Sequence, residues 1–160
     1  MSGATPSTPD EVAAGGEQVG GAGEPTGPPG PGTLAVTVPA RPEHLAGLRR
    51  TLGGWLAGRG VPAPLLADIV LAADEALANA IEHGYRFADG LVALSGHVED
   101  GHVVVAVVDH GVWKTPDMPP SPYRGRGMSL IRALADRVEL VSTGGRTSLI
   151  ARFRLPSASD

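Results

Sequence analysis

The stretch Asp74–Tyr85, which reads DEALANAIEHGY, decides the fold of this chain. It places the carboxylate of Glu75 and the amide of Asn79 one helical turn apart, so both lie on the same face of a helix. Apolar residues recur at helical spacing between residues 66 and 81, on the arc opposite these polar side chains. The pattern predicts one long amphipathic helix over residues 64–85.

The remaining elements follow in an order that predicts the architecture. We expect strands over residues 34–38, 91–98, 102–108, 138–142 and 148–155, and further helices over residues 42–58 and 128–136. Prolines make residues 112–124 an irregular loop. The order β-α-α-β-β-loop-α-β-β predicts an α/β (α+β) two-layer sandwich, in which helices cover one face of a mixed, mostly antiparallel sheet.

The first 32 of the 160 residues differ in composition from the rest. They contain 9 Gly, 6 Pro, four acidic side chains and neither Lys nor Arg. Such a segment has too little apolar surface to offset the entropy lost on ordering. We therefore predict a disordered tail over residues 1–32, one folded domain over residues 33–156 and a short tail over residues 157–160.

Charge and composition narrow the function classes. Residues 33–160 contain 13 acidic residues and all 13 Lys and Arg, so the folded part is formally neutral and a poor candidate for direct nucleic-acid binding. The absence of cysteine excludes disulfides and thiolate chemistry. No apolar run reaches membrane-spanning length and no signal core is present, so we expect a soluble, cytoplasmic protein without a membrane partner.

Two further motifs follow the helix in the chain. Asp109 ends a valine-rich strand and is followed by His110 and Gly111. A carboxylate at this position can accept a hydrogen bond from the exocyclic amine of adenine. The glycine leaves room for a ring to approach the backbone. Gly125-Arg126-Gly127-Met128 then opens the next helix, where exposed amides and the helix dipole favour phosphate. Taken singly, the first motif is also an ordinary turn and the second a hinge.

The order and spacing of the three motifs resemble those of the GHKL (histidine-kinase-like) ATPases. The NAIEHGY ending of residues 79–85 and the small size of the domain are most similar to the anti-sigma-factor serine kinases of that superfamily. The resemblance covers about residues 34–155. It implies a GHKL, or Bergerat-like, ATP-binding fold with ATP and Mg²⁺ as cofactors.

The resemblance implies roles for individual residues. Glu75 orients or deprotonates the attacking hydroxyl, Asn79 supplies a carbonyl oxygen to magnesium, and Asp109 reads adenine beside Gly111. Trp113 stands where the fuller family motif has a second glycine, which leaves the detailed ribose and phosphate contacts open.

Further cofactor contacts are expected from the phosphate-side motif (residues 125–128) and from the hairpin that the last two predicted strands form. Arg124 and the run Gly125-Arg126-Gly127-Met128 are expected to contact the phosphates, beneath a lid formed by the proline-rich loop. Thr147 matches a hydroxyl that some family members use near the adenine. His83 lies one turn beyond Asn79, but magnesium prefers oxygen to imidazole, so a structural role is favoured.

By family analogy, the function is that of a regulatory serine/threonine protein kinase and anti-sigma factor. Such proteins phosphorylate a serine of a STAS-type anti-sigma-factor antagonist, sequester an RNA polymerase sigma factor, and act as homodimers. An alternative is a non-catalytic ATP-binding module that sequesters a partner. A detached histidine-kinase catalytic domain is disfavoured, because no phosphoacceptor helix precedes the domain in this sequence.

Overall fold

Helix α2 is the longest element of the fold, and the other elements are arranged around it. The computed structural model describes residues 32–86, 90–109, 124–143 and 146–158, with side chains to residue 82 in α2 and from residue 128 in α3. The elements are β1 (Leu34–Pro39), a 3-10 turn (Pro42–His44), α1 (Leu45–Gly58), α2 (Ala63–Arg86), β2 (Leu91–Glu99), β3 (His102–Asp109), α3 (Arg124–Leu134), β4 (Arg137–Thr143) and β5 (Arg146–Arg154).

The five strands form one sheet in the order β1-β2-β3-β5-β4. Each of the four pairings between described strands is antiparallel. The tight turn from β2 to β3 has positive φ at both Asp100 and Gly101, 49° and 72°, as a two-residue hairpin with the right-handed strand twist requires.

The core lies between the sheet and the helix layer. Ile69, Leu77 and Ile81 of α2 are at most 2% exposed. They pack in one cluster with Val103, Val105 and alternate residues of the other central strands. Alternation along β3 and β5 turns every second side chain toward α2, which packs on β2 and β3 and is flanked by α1 and α3. The two-layer α/β fold is therefore confirmed, as is the apolar arc of α2.

Two details of the predicted fold differ from the structure. The sheet was expected to be mixed, yet the described strands contain no parallel pair. The third helix was expected to begin at Met128 but begins at Arg124, so Gly125 and Gly127 lie in its first turn. Glycine costs a helix roughly 1 kcal/mol per residue relative to alanine, which weakens this turn without forbidding it.

The chain enters the domain beside α1. The indole Nε1 of Trp55 donates a hydrogen bond of 3.0 Å to the carbonyl oxygen of Gly32. The guanidinium of Arg59 lies 5.7 Å from the centre of the Trp55 ring. Gly32 has a φ of 87°, and a Cβ at this position would collide with that guanidinium. The Arg59 side chain can move aside, but the positive φ itself favours glycine where the chain approaches α1.

None of the described helices is long and apolar enough to cross a membrane.

Candidate active site

The polar flank of α2 carries the first two predicted site residues. Glu75 and Asn79 are both half-buried, one turn apart on the helix. Asp74 faces α1, where its Oδ1 lies 3.6 Å from Nε of Arg49. Glu75 is the next residue and therefore lies about 100° further around the helix. Glu75 and Asn79 therefore lie on the flank of α2 away from α1.

Asp109 is one of two buried polar side chains in the described residues, with 5% of its surface exposed. It is the last residue of β3, and β-pairing places it opposite Thr147 of β5 on one side and Val92 of β2 on the other. Asp109 and Thr147 are distant in the sequence, yet the sheet makes them direct neighbours. Asp109 thus occupies an enclosed position at the end of the central strand.

Asp109 and Thr147 belong to the helix-facing side of the sheet. Asp109 alternates in phase with Val107, which packs in the main core, and Thr147 alternates in phase with Leu149, which packs there too. Glu75 and Asn79 belong to the helix that covers this face. The structure therefore brings a carboxylate and a hydroxyl at the strand ends to the same side of the sheet as the polar flank of α2.

The phosphate-side motif is described only in part. The backbone of Arg124, Gly125, Arg126 and Gly127 forms the first turn of α3, and their side chains lie outside the described residues. Met128 is half-buried and packs against the core through its side chain. Gly111 and the proline-rich loop lie outside the described residues, as does the side chain of His83, so their predicted roles remain predictions.

The donor set on α2 suits a magnesium ion that arrives with a nucleotide. The described residues contain no group of three His, Asp or Glu side chains that could hold a metal alone. A triphosphate-bound Mg²⁺ takes most ligands from phosphate and water and needs only one or two oxygens from protein. The half-buried amide of Asn79, with the Glu75 carboxylate one turn away, offers oxygen donors of this kind.

Comparison with known proteins places this geometry in a family. The family model of the histidine kinase-like ATPase domain matches residues 38–153, which span the sheet from β1 to β5 and all three helices. The chain belongs to this family. The three motifs that carried the resemblance all lie inside the matched region.

Two relatives named as serine-protein kinases are similar to most of this chain. The chain is 28% identical over 137 residues to the serine-protein kinase RsbW of Bacillus pumilus, covering 75% of this chain and 85% of that protein. It is 24% identical over 134 residues to RsbW of Bacillus thuringiensis, covering 75% of this chain and 84% of that protein. The predicted resemblance to the serine kinases of the GHKL superfamily is confirmed.

A solved structure has a similar fold. The crystal structure of the RsbU and RsbW domains of Rv1364c from Mycobacterium tuberculosis superposes with a TM-score of 0.63 at 29% identity. The match covers 77% of this chain and 32% of that longer, two-domain chain. The shared part is therefore about a third of the neighbour's length.

Sequence reasoning did not single out the pairing of Arg49 with Asp74. Oδ1 of Asp74 is enclosed and accepts no hydrogen bond from the described residues, although the Arg49 guanidinium lies beside it. The two residues come from different helices of this histidine kinase-like ATPase domain. Only the packing of α1 on α2 brings them together, so no local pattern could have predicted the pair.

Proposed function

We propose that this chain is an ATP-dependent serine/threonine protein kinase and anti-sigma factor. Kinase function is supported at the level of the family, because relatives that align over three quarters of this chain are named serine-protein kinases. The observation that carries the proposal is the flank of α2, where a half-buried carboxylate and amide stand one turn apart, away from α1. These two groups supply the kinds of atom that metal-assisted phosphoryl transfer uses, a carboxylate as base and an amide oxygen as metal ligand.

The chemistry assigned to this flank is a single phosphoryl transfer. A serine or threonine oxygen of the acceptor protein forms a bond to the γ-phosphorus of ATP, and the bond to the β–γ bridging oxygen breaks to release ADP. The Glu75 carboxylate takes the hydroxyl proton. Asn79 would hold a magnesium ion through its amide oxygen, and that ion would neutralise charge on the phosphates.

Selection of adenine is assigned to Asp109, with Thr147 beside it. The buried carboxylate accepts a hydrogen bond from the exocyclic amine of adenine. Guanine presents a carbonyl oxygen at the equivalent ring position, so two acceptors would face each other without water between them. Phosphate contacts are assigned to Gly111, Arg124 and the run Gly125-Arg126-Gly127-Met128.

The proposed protein partners are a STAS-type antagonist as phosphate acceptor and a sigma factor as sequestered partner, bound by a homodimer in the cytoplasm. The proposed catalytic unit is residues 33–156. The described structure supports these bounds in one respect, because β1 begins at Leu34 and β5 ends at Arg154. The proposed partners are supported by the names of the relatives, which are serine-protein kinases called RsbW.

The nucleotide part of the proposal is tested by calorimetry. Wild-type protein is expected to bind Mg-ATP, and Asp109→Ala is expected to abolish this binding. The matched control is Asp68→Ala, which removes an exposed carboxylate from α2 and should leave the affinity unchanged. Binding of Mg-GTP as tight as that of Mg-ATP would refute the adenine assignment.

The transfer part is tested with the cognate antagonist and radiolabelled ATP. Label is expected on a serine or threonine of the antagonist. If the wild-type chain binds ATP and its partners but transfers no phosphate, the chain is instead a non-catalytic ATP-binding module that sequesters its partner.

A further inference from the structure

Strand β4 forms one edge of the sheet and exposes apolar side chains on both of its faces. Among the described strands it pairs with β5 alone, so its outer side has no strand partner in that part of the chain. Leu140 on the helix side is 56% exposed, and Val141 on the opposite face is 46% exposed. Large apolar side chains on an unpaired edge favour pairing with a further strand.

The opposite edge of the sheet has a protection that β4 lacks. Strand β1 exposes Ala35 and Thr37 and ends at Pro39, while its two valines pack against the core. Proline on an edge strand prevents further pairing, and β4 contains no proline, glycine or lysine. The charged side chains of β4 offset each other, because Nε of Arg137 lies 3.0 Å from Oε1 of Glu139. Strand β4 is therefore the edge that is open to association.

The hydrogen-bond register of β4 determines which of its backbone groups point away from β5. Strand β4 ends at Thr143 and β5 begins at Arg146, so two residues connect them. A connection of this length closes on a hydrogen-bonded pair, and such pairs recur at every second residue along the strands. Every second residue counted back from Thr143 therefore bonds to β5, whereas the N–H and C=O groups of Val138, Leu140 and Ser142 point outward.

These outward groups are arranged symmetrically about Leu140. Antiparallel pairing of two copies of β4 sets Leu140 opposite itself and sets Val138 of each copy opposite Ser142 of the other. All three outward positions then belong to hydrogen-bonded pairs, each of which exchanges two bonds. A shift of one copy by two residues loses one of these pairs, and in one direction it also sets Glu139 opposite itself, where like charges repel. The strand therefore fits a second copy of itself in one register best.

The helix layer leaves room for a second copy beside β4. Helix α3 packs mainly on α2 and only lightly on β4, so Leu140 is not covered from the helix side. In the paired register, the two Leu140 side chains lie against each other on this side. On the opposite face, Val141 of each copy lies beside Glu139 of the other. Self-pairing thus covers both of the exposed apolar side chains of β4.

We propose that two copies of this chain join through β4, in the antiparallel register centred on Leu140. Their two five-stranded sheets then form one continuous sheet. The proposal rests on the homodimer of the proposed function, for which it names the interface. Because the two-fold axis is perpendicular to the sheet, the Asp109–Thr147 strand ends of the two copies point in opposite directions. Each proposed nucleotide site is therefore formed within one copy.

Sedimentation of the full-length chain tests the edge contact. The wild-type chain is expected to sediment as a dimer that dissociates on dilution. Leu140→Lys sets two like charges opposite each other and should raise the dimer dissociation constant at least about tenfold. The matched control is Leu71→Lys, which changes a side chain that is 44% exposed on α2 and should leave the constant unchanged. Both positions are exposed, so both variants should keep the fold, which circular dichroism checks.

The absence of cysteine permits a test of the register. The proposed register sets Glu139 opposite Val141 of the other copy in a non-hydrogen-bonded pair, with Cα atoms about 4.5 Å apart, within the range of a disulfide. Chains that carry Glu139→Cys, mixed with chains that carry Val141→Cys, are expected to form a disulfide-linked dimer under mild oxidation. Either chain alone should cross-link much less, because identical positions are diagonal neighbours about 7–8 Å apart.

Two results would overturn the proposal. One is a wild-type chain that stays monomeric at every concentration, which also removes the homodimer from the proposed function. If the β4 amide signals of that monomer shift in NMR spectra when the antagonist is added, the edge belongs to that partner. The other is a dimer that Leu140→Lys leaves intact, which moves the interface to another surface and leaves the homodimer standing. Phosphate transfer is measured separately, so neither result decides the kinase function.

Discussion

The two sides of α2 differ in solvent exposure and in the role proposed for them. Ile69 and Leu77 on the sheet side are fully buried, whereas Glu75 and Asn79 on the flank away from α1 are half-buried. The apolar side gains its stability from area removed from water. The polar flank contributes little to that area and keeps its oxygens available to a ligand. A single helix can therefore hold the fold with one side and present reactive groups with another, so mutations on the two sides should have separable effects.

The largest expected difference between an effect on activity and an effect on stability is at Glu75. Glu75→Gln should lower the rate of phosphate transfer to the antagonist by roughly 10²- to 10⁴-fold, the usual worth of a positioned general base. Affinity for ATP should persist, because the assigned role belongs to the transition state. Single-turnover transfer and calorimetry on the same preparation measure both. A melting temperature lowered in parallel with the rate would mean that the two sides of α2 are not separable.

The complementary change is Leu77→Ala on the sheet side. Removal of this fully buried side chain should lower the free energy of unfolding by about 2–5 kcal/mol, because a cavity remains in the core. Denaturant titration measures the loss. The fraction that is still folded should transfer phosphate at the wild-type rate. A variant that is fully stable but inactive would reverse the roles assigned to the two sides.

A smaller effect is expected at Asn79. Asn79→Ala should weaken Mg-ATP binding by about tenfold, equivalent to about 1.4 kcal/mol, through loss of one metal ligand. The free energy of unfolding should change by less than about 1 kcal/mol, because the side chain is not part of the core. Calorimetry with and without magnesium checks the first value, and denaturant titration checks the second. Unchanged affinity with a large loss of stability would make Asn79 a structural residue.

Local patterns in the sequence were sufficient for much of the fold. The spacing of apolar residues in α2 predicted its buried side, and the run of valines predicted strand β3. These features depend on neighbours within a few residues of each other. The motifs also predicted the family correctly, because their order and spacing can be read from the sequence without knowledge of the fold.

Features that depend on distant residues could not be predicted in this way. The pairing of Asp109 with Thr147 is set by the sheet, and the contact between Arg49 and Asp74 is set by helix packing. The start of α3 was placed four residues too late, because Gly125 and Gly127 were taken to precede the helix, whereas they lie in its first turn. The packing of α3 on α2 offers a reason, since tertiary contacts can offset weak local propensity.

The pairing of Asp109 with Thr147 has a consequence for how the domain tolerates changes in length. Insertions or deletions between β3 and α3 leave the two residues opposite each other, provided that the strands keep their alignment. Deletion of one residue inside β3 would instead turn the carboxylate to the far side of the sheet, away from the helices. The position of Asp109, proposed to face adenine, is thus insensitive to large changes in the intervening loop but sensitive to the loss of a single valine.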